Sequence, residues 1–182
     1  VNFNDIPELA NCLIQTEPAL FTQNNSTYLI SSCLVADSNG RRTDLERIVL
    51  LKQEANGYSF VGNIMDASDA DNLGVDTIEQ ADISVARDGK IIILVTGIKL
   101  GEDPSHQGCI VYEFDDFPSA NLKRDTNGVA IPRAIITSDG NGLGPGLCTY
   151  DAENEAGILL VIPTFTQNTD IEFSIRATGV HP

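Results

Sequence analysis

The chain has no Trp, one Met and two His in 182 residues, and 11 Lys and Arg stand against 26 Asp and Glu. The shortage of positive charge leaves a formal net charge of −15, which opposes a phosphate backbone or an anionic membrane surface wherever salt does not screen it. Nucleic acid is therefore not an expected partner, and the acidity reads as a solvated surface. No apolar run approaches bilayer-spanning length, so membrane insertion is not expected either. The two histidines, His106 in a polar loop and His181 beside the C-terminus, come without a nucleophile-elbow sequence, which leaves a Ser-His-Asp site short of parts. Cys12, Cys33, Cys109 and Cys148 lack CxxC spacing, which argues against zinc or a redox motif. They read as buried thiols, with a Cys12–Cys33 bridge open in an oxidising compartment because both flank the first repeat. The chain begins at Val1 without an initiator Met, which leaves room for a removed leader.

What is present is a repeat. Ala19-Leu20-Phe21-Thr22-Gln23, a turn at Asn24-Asn25, and Ser26 to Ser32 form an alternating strand pair. The pattern returns at Asp82 to Thr96 around Asp88-Gly89, and again at Leu147 to Ile162, at intervals of about sixty residues. A third strand follows each pair after a longer polar connection, at Arg47 to Lys52, Gly108 to Phe114 and Asp170 to Arg176. Thr43-Asp44-Leu45-Glu46 matches a helix capping box, but its counterparts in the other repeats alternate like strands, and Glu54-Ala55-Asn56-Gly57 supplies a turn into a return strand. The expectation is an all-β, β-propeller-like single domain over 1–182, with three four-stranded antiparallel blades near 17–65, 79–124 and 134–179.

Three features carry candidate chemistry. Gly140-Asn141-Gly142-Leu143-Gly144-Pro145-Gly146 is Gly-rich, yet no helix pattern or Lys-Ser/Thr follows it, so it reads as an inter-repeat loop. Asp66-Ala67-Ser68-Asp69-Ala70-Asp71-Asn72-Leu73-Gly74 could offer oxygen to calcium, but it matches no EF-hand spacing and reads as a solvated loop; no cofactor is otherwise expected. Glu17 and Glu79 each precede the first strand of a repeat. In a propeller those strands converge on the axis, so the two carboxylates could share a pocket, one as a general acid of raised pKa and the other as its base, nucleophile or tuner. Each could equally be an acceptor capping backbone N–H groups at a strand start.

At these residues the sequence resembles the five-bladed propeller glycoside hydrolases, the superfamily of arabinanases, β-xylosidases, levansucrases and invertases. Glu17-Pro18-Ala19-Leu20-Phe21 is similar to that family's Asp-Pro-x-x-Phe strand, Glu79-Gln80-Ala81-Asp82-Ile83 to its Glu-x-Pro-x-Ile blade start, and Gly144-Pro145-Gly146-Leu147-Cys148 to its Gly-x-Gly-His segment. The resemblance implies that Glu79 is the general acid and that Glu17 tunes its pKa and orients substrate. It also implies carbohydrate contacts from Asp82, Gly146 and Tyr150, no metal ligand, and a secreted or periplasmic location. Ala81 stands where the family has Pro, and Leu147 where it has an axial His. The family's catalytic base lies in a first blade, whereas this chain resembles the last three. The expectation is thus a glycoside hydrolase-like protein inactive without a base from elsewhere, or else a non-catalytic carbohydrate-binding or structural propeller. Three blades leave apolar flanks open, so a homo-oligomer, most simply a dimer, is expected.

Overall fold

A computed structural model describes residues 5–15, 18–36, 38–39, 42–69, 77–98, 108–137, 146–151, 156–161 and 174–179. After a 3-10 turn at Pro7–Leu9 come twelve strands: β1 (Cys12–Gln15), β2 (Ala19–Gln23), β3 (Ser26–Ala36), β4 (Arg42–Glu54), β5 (Gly57–Met65), β6 (Thr77–Val85), β7 (Ile91–Ile98), β8 (Gly108–Glu113), β9 (Pro132–Thr137), β10 (Gly146–Asp151), β11 (Ala156–Val161) and β12 (Ser174–Gly179). They form three antiparallel sheets of five, four and three strands among the described residues. Among those residues no helix is long and apolar enough to cross a membrane.

Each sheet is a meander that starts at one edge and adds strands in chain order. The second runs β6-β7-β8-β9 and the third β10-β11-β12. In the first, β1 and β2 share one edge of β3, with β4 and β5 beyond it. The segment with the capping-box sequence is strand β4, because alternate residues Ile48 and Leu50 bury on one face of the sheet and Val49 and Leu51 on the other. The second sheet takes its fourth strand, β9, from residues that the repeat pattern assigns largely to the start of the third unit. Of the predicted strand at Asp170 to Arg176, residues 170–173 lie outside the described residues, and β12 begins at Ser174.

The hairpins form where turn chemistry permits. Asn24 and Asn25 both adopt left-handed backbone (φ 49° and 61°), as a two-residue turn with the twist of its flanking strands requires. Gly89 supplies the positive φ (82°) in the β6–β7 turn, where the Asp88 carboxylate accepts the Lys90 amide at 3.2 Å.

The main core lies between the first two sheets. Tyr28, Ile30, Ile48, Leu50, Ile64 and Met65 from one meet Ala81, Ile83, Ile93, Val95, Ile110 and Tyr112 from the other. Edge strand β6 lies against β2, β3 and β4. Phe117, in the long β8–β9 connection, seals the seam. Its ring meets Tyr28, Phe114 and Phe21 edge-on at centroid distances of 4.9, 5.3 and 5.7 Å. The same connection approaches the first sheet closely, since a Cβ on Gly62 of β5 would stand 2.8 Å from that of Ala120. On its far face the second sheet buries Ile92, Leu94 and Val111, and β10 of the third sheet approaches β7.

The other face of the first sheet is covered from the N-terminus. Ile6 and Leu9 pack on Leu29, Cys33, Val49 and Leu51, with Tyr58 and Phe60 alongside. Cys12 and Cys33 are disulfide-bonded with their Cα atoms 5.3 Å apart, so these two are not the buried thiols the sequence suggests. The flank expected to lie bare is thus partly closed by the chain itself, although Leu20 on β2 remains 65% exposed.

Candidate functional site

Glu79 sits on β6, the edge strand that packs against the first sheet. Ile78 pairs with Gly97 and Gln80 with Thr96, so Glu79 is the extra residue of a β-bulge and has no cross-strand partner. Bulges re-aim a side chain, bend a strand and recur beside active sites. Past the bulge β6 runs in regular register. Ala81 and Ile83 enter the inter-sheet core, and Asp82, opposite Leu94, takes the far face. Asp82 is exposed, and its Oδ1 accepts the Ile83 amide at 2.8 Å, satisfying a backbone donor at the sheet edge.

Glu17 lies outside the described residues, between the end of β1 at Gln15 and the start of β2 at Ala19. Gly146 opens β10 opposite Val161, and Tyr150 lies further along it opposite Gly157. The predicted residues therefore fall on two edge strands: Glu79 and Asp82 on β6, Gly146 and Tyr150 on β10. The two strands are linked through β7, which pairs with β6 and approaches β10. Residues 140–145, His106 and His181 lie outside the described residues.

The acidic loop behaves differently from its sequence reading. Asp66 caps a single helical turn over Ala67–Asp69, accepting the Ser68 hydroxyl at 2.6 Å and the Ser68 amide at 2.9 Å. The hydroxyl bond is the main reason its carboxyl titrates below the ordinary range. Asp69 is not solvated: it is 3% exposed and takes a two-pronged ion pair from Arg124, Nη1 to Oδ1 at 2.6 Å and Nη2 to Oδ2 at 3.0 Å. The bond to Asp69 holds Arg124 above its usual pKa. Residues 70–74 lie outside the described residues. Among the described residues no three His, Cys, Asp or Glu side chains gather as metal ligation requires.

Beside this pair stands Tyr112, 1% exposed, with a hydroxyl that finds no hydrogen-bond partner among the described residues. Burial, reinforced by the Asp69 charge, pushes its pKa well above the ordinary value. Sequence reasoning missed this cluster because Asp69 and Arg124 are 55 positions apart, and no local pattern marks either as buried. A second charged group is more exposed: Arg133 bridges Asp88 and Glu113 at 3.1 and 3.0 Å, and Lys90 reaches Glu113 at 3.6 Å.

No protein-family model matches the chain, and no curated protein does. Among solved structures it is similar to the GH43_1 enzyme from Xanthomonas citri complexed with xylose, at TM-score 0.45 and 11% identity over 83% of this chain and 40% of that one. It is also similar to an exo-1,5-alpha-L-arabinanase from a bovine ruminal metagenomic library, at TM-score 0.41 and 13% identity, over 88% of this chain and 73% of that one. A third likeness is to the GH43 endo-arabinanase from Bacillus licheniformis, at TM-score 0.32 and 12% identity, over 90% and 73%. The chain spans well under two thirds of the first of these. At such identities no residue assignment transfers from them.

Proposed function

We propose that the chain is a glycoside hydrolase-like, carbohydrate-active propeller protein in which Glu79 delivers the proton to the leaving glycosidic oxygen. The observation that carries this reading is the bulge: the candidate acid is the one residue of edge strand β6 that breaks register with β7 between Ile78 and Gln80. The three successive meanders, each opening on an edge strand and two of them packed face to face, suit the blade arrangement in which first strands line an axis. Asp82 on the same strand, with Gly146 and Tyr150 on β10, would contact the sugar, and Glu17 would tune the acid. The second carboxylate that hydrolysis requires comes from a further blade or another copy of the chain, which makes a homo-oligomer part of the proposal. The Cys12–Cys33 disulfide supports a secreted or periplasmic setting.

The test is hydrolysis of aryl arabinosides and xylosides by the full chain, its Glu79→Gln variant, and both at concentrations that drive association. The expected result is turnover in the native chain that the amide variant lacks while still binding arabino- or xylo-oligosaccharide, because Gln keeps the shape but has no proton to give. Saccharide binding without turnover at any concentration would select the non-catalytic carbohydrate-binding alternative. Neither binding nor turnover would overturn the proposal.

A further inference from the structure

The Cys12–Cys33 disulfide has an unusual neighbour. Arg47, on β4 opposite Cys33, reaches over the bridge so that its Nη2 lies 4.0 Å from Cys12 Sγ. The same Nη2 donates to the Glu8 carbonyl at 2.7 Å, and Nη1 makes a long contact of 3.5 Å with Asn63 Oδ1. Among the described residues no carboxylate pairs with this guanidinium, and its Nε is buried without a partner. The N-terminal segment carries two exposed acidic residues, Asp5 and Glu8, Tyr58 of β5 packs on the same cluster, and Arg47 brings the cation to the bridge. The two sulfurs are not equivalent. Cys33 is fully buried, while Cys12 is only half-buried at the edge of the cluster.

We propose that this disulfide is exchangeable, with Cys12 as the sulfur that trades partners with an external dithiol and Arg47 as the cation that stabilises its thiolate. A thiolate of the dithiol attacks the more accessible Cys12 Sγ. The protein S–S bond breaks, and Cys33 leaves as a thiolate that takes a proton. The second dithiol thiolate then attacks its own partner's sulfur in the mixed disulfide, so the dithiol becomes a disulfide and Cys12 departs as a thiolate beside Arg47. Two electrons pass from the dithiol to the two cysteines. A cation next to a thiol favours the ionised form and so stabilises the reduced state, which makes the bridge easier to reduce. Opening it unties β1 from β3 and loosens the N-terminal turn that covers Leu29, Val49 and Leu51.

The experiment uses the full chain in mixtures of reduced and oxidised dithiothreitol, with iodoacetamide trapping and peptide mapping of each cysteine. In the reduced protein, Cys12 should alkylate with a pH midpoint roughly one unit below the ordinary thiol value of about 8.5. Arg47→Met should return that midpoint to the ordinary value. At about pH 9.5, where both forms of the thiol ionise, it should also move the equilibrium about tenfold toward the disulfide, roughly 30 mV. Arg47→Lys, which keeps the charge, should rescue both quantities. A Cys12 midpoint at or above the ordinary value would overturn the proposal even if the Met variant fails to fold. So would a Met variant with unchanged midpoint and equilibrium, or a Lys variant that behaves like Met, since either would reduce Arg47 to a clamp on the Glu8 carbonyl.

Discussion

The two faces of the first sheet are held down in different ways. One meets a second sheet through a continuous apolar layer, with Ile30, Ile48, Leu50 and Ile93 fully buried and Phe117 sealing the rim. The other meets a single 3-10 turn, which supplies Ile6 and Leu9 and is secured by a disulfide and by the bond from Arg47 to the Glu8 carbonyl. The lesson is that a cover too small to hold by apolar area is fastened by a covalent bond and a charge. The inter-sheet face has no disulfide among the described residues, and its Tyr112 stands beside the Asp69–Arg124 ion pair.

The largest expected effect falls on the inter-sheet face. Leu50→Ala should cost about 3–4 kcal/mol in urea unfolding, because the cavity lies between two sheets that cannot both collapse onto it. On the opposite face, Cys12→Ser should cost about 3 kcal/mol, mainly by freeing the unfolded chain across a sequence separation of 21 residues. The two should differ in kind. Amide exchange after Cys12→Ser should rise in β1 and the N-terminal turn while β4 stays protected; loss of β4 protection would show that the two faces are not independent.

Asp69→Ala should cost about 2 kcal/mol, less than a fully buried pair, because the Arg124 side chain is 33% exposed and regains water. The smallest effect is a gain. Tyr112→Phe removes a buried hydroxyl without a partner and should stabilise the fold by about 1 kcal/mol. It should also change the alkaline limb. Because the folded state raises the Tyr112 pKa, folding opposes its ionisation, so this group leaves stability unchanged below its ordinary value of 10.0 and lowers it as pH climbs above. The Phe variant should lack that part of the alkaline loss. Asp66, lowered in the fold, acts at the other end: its contribution is present above the ordinary carboxylate value of 3.8 and fades as pH falls through the lowered one.

The hairpins were legible in the sequence because each rests on local chemistry. Asn24-Asn25 and Asp88-Gly89 are turn residues, and β2 beside the first of them alternates half-buried and exposed positions along its length. Strand β4 was legible despite its capping box, because its counterparts in the other two repeats alternate like strands and a Gly-containing turn leads into a return strand. The Cys12–Cys33 pairing was left open, as spacing alone cannot place two sulfurs together. Asp69 was misjudged as solvated because its partner is supplied by the distant β8–β9 connection. The Glu79 bulge was beyond reach for a different reason: register is a property of two strands, and nothing in Ile78-Glu79-Gln80 alone shows that Gly97 and Thr96 will pair around it.

The central claim is that the start of β6 is a carbohydrate site, and backbone amide NMR during titration with arabino- and xylo-oligosaccharides tests it most directly. The account predicts saturable shifts confined to residues 77–82 of β6 and to β10 around Gly146, diminished in Glu79→Gln only at the residues flanking position 79. Saturable shifts centred elsewhere, or none at millimolar sugar, would contradict it.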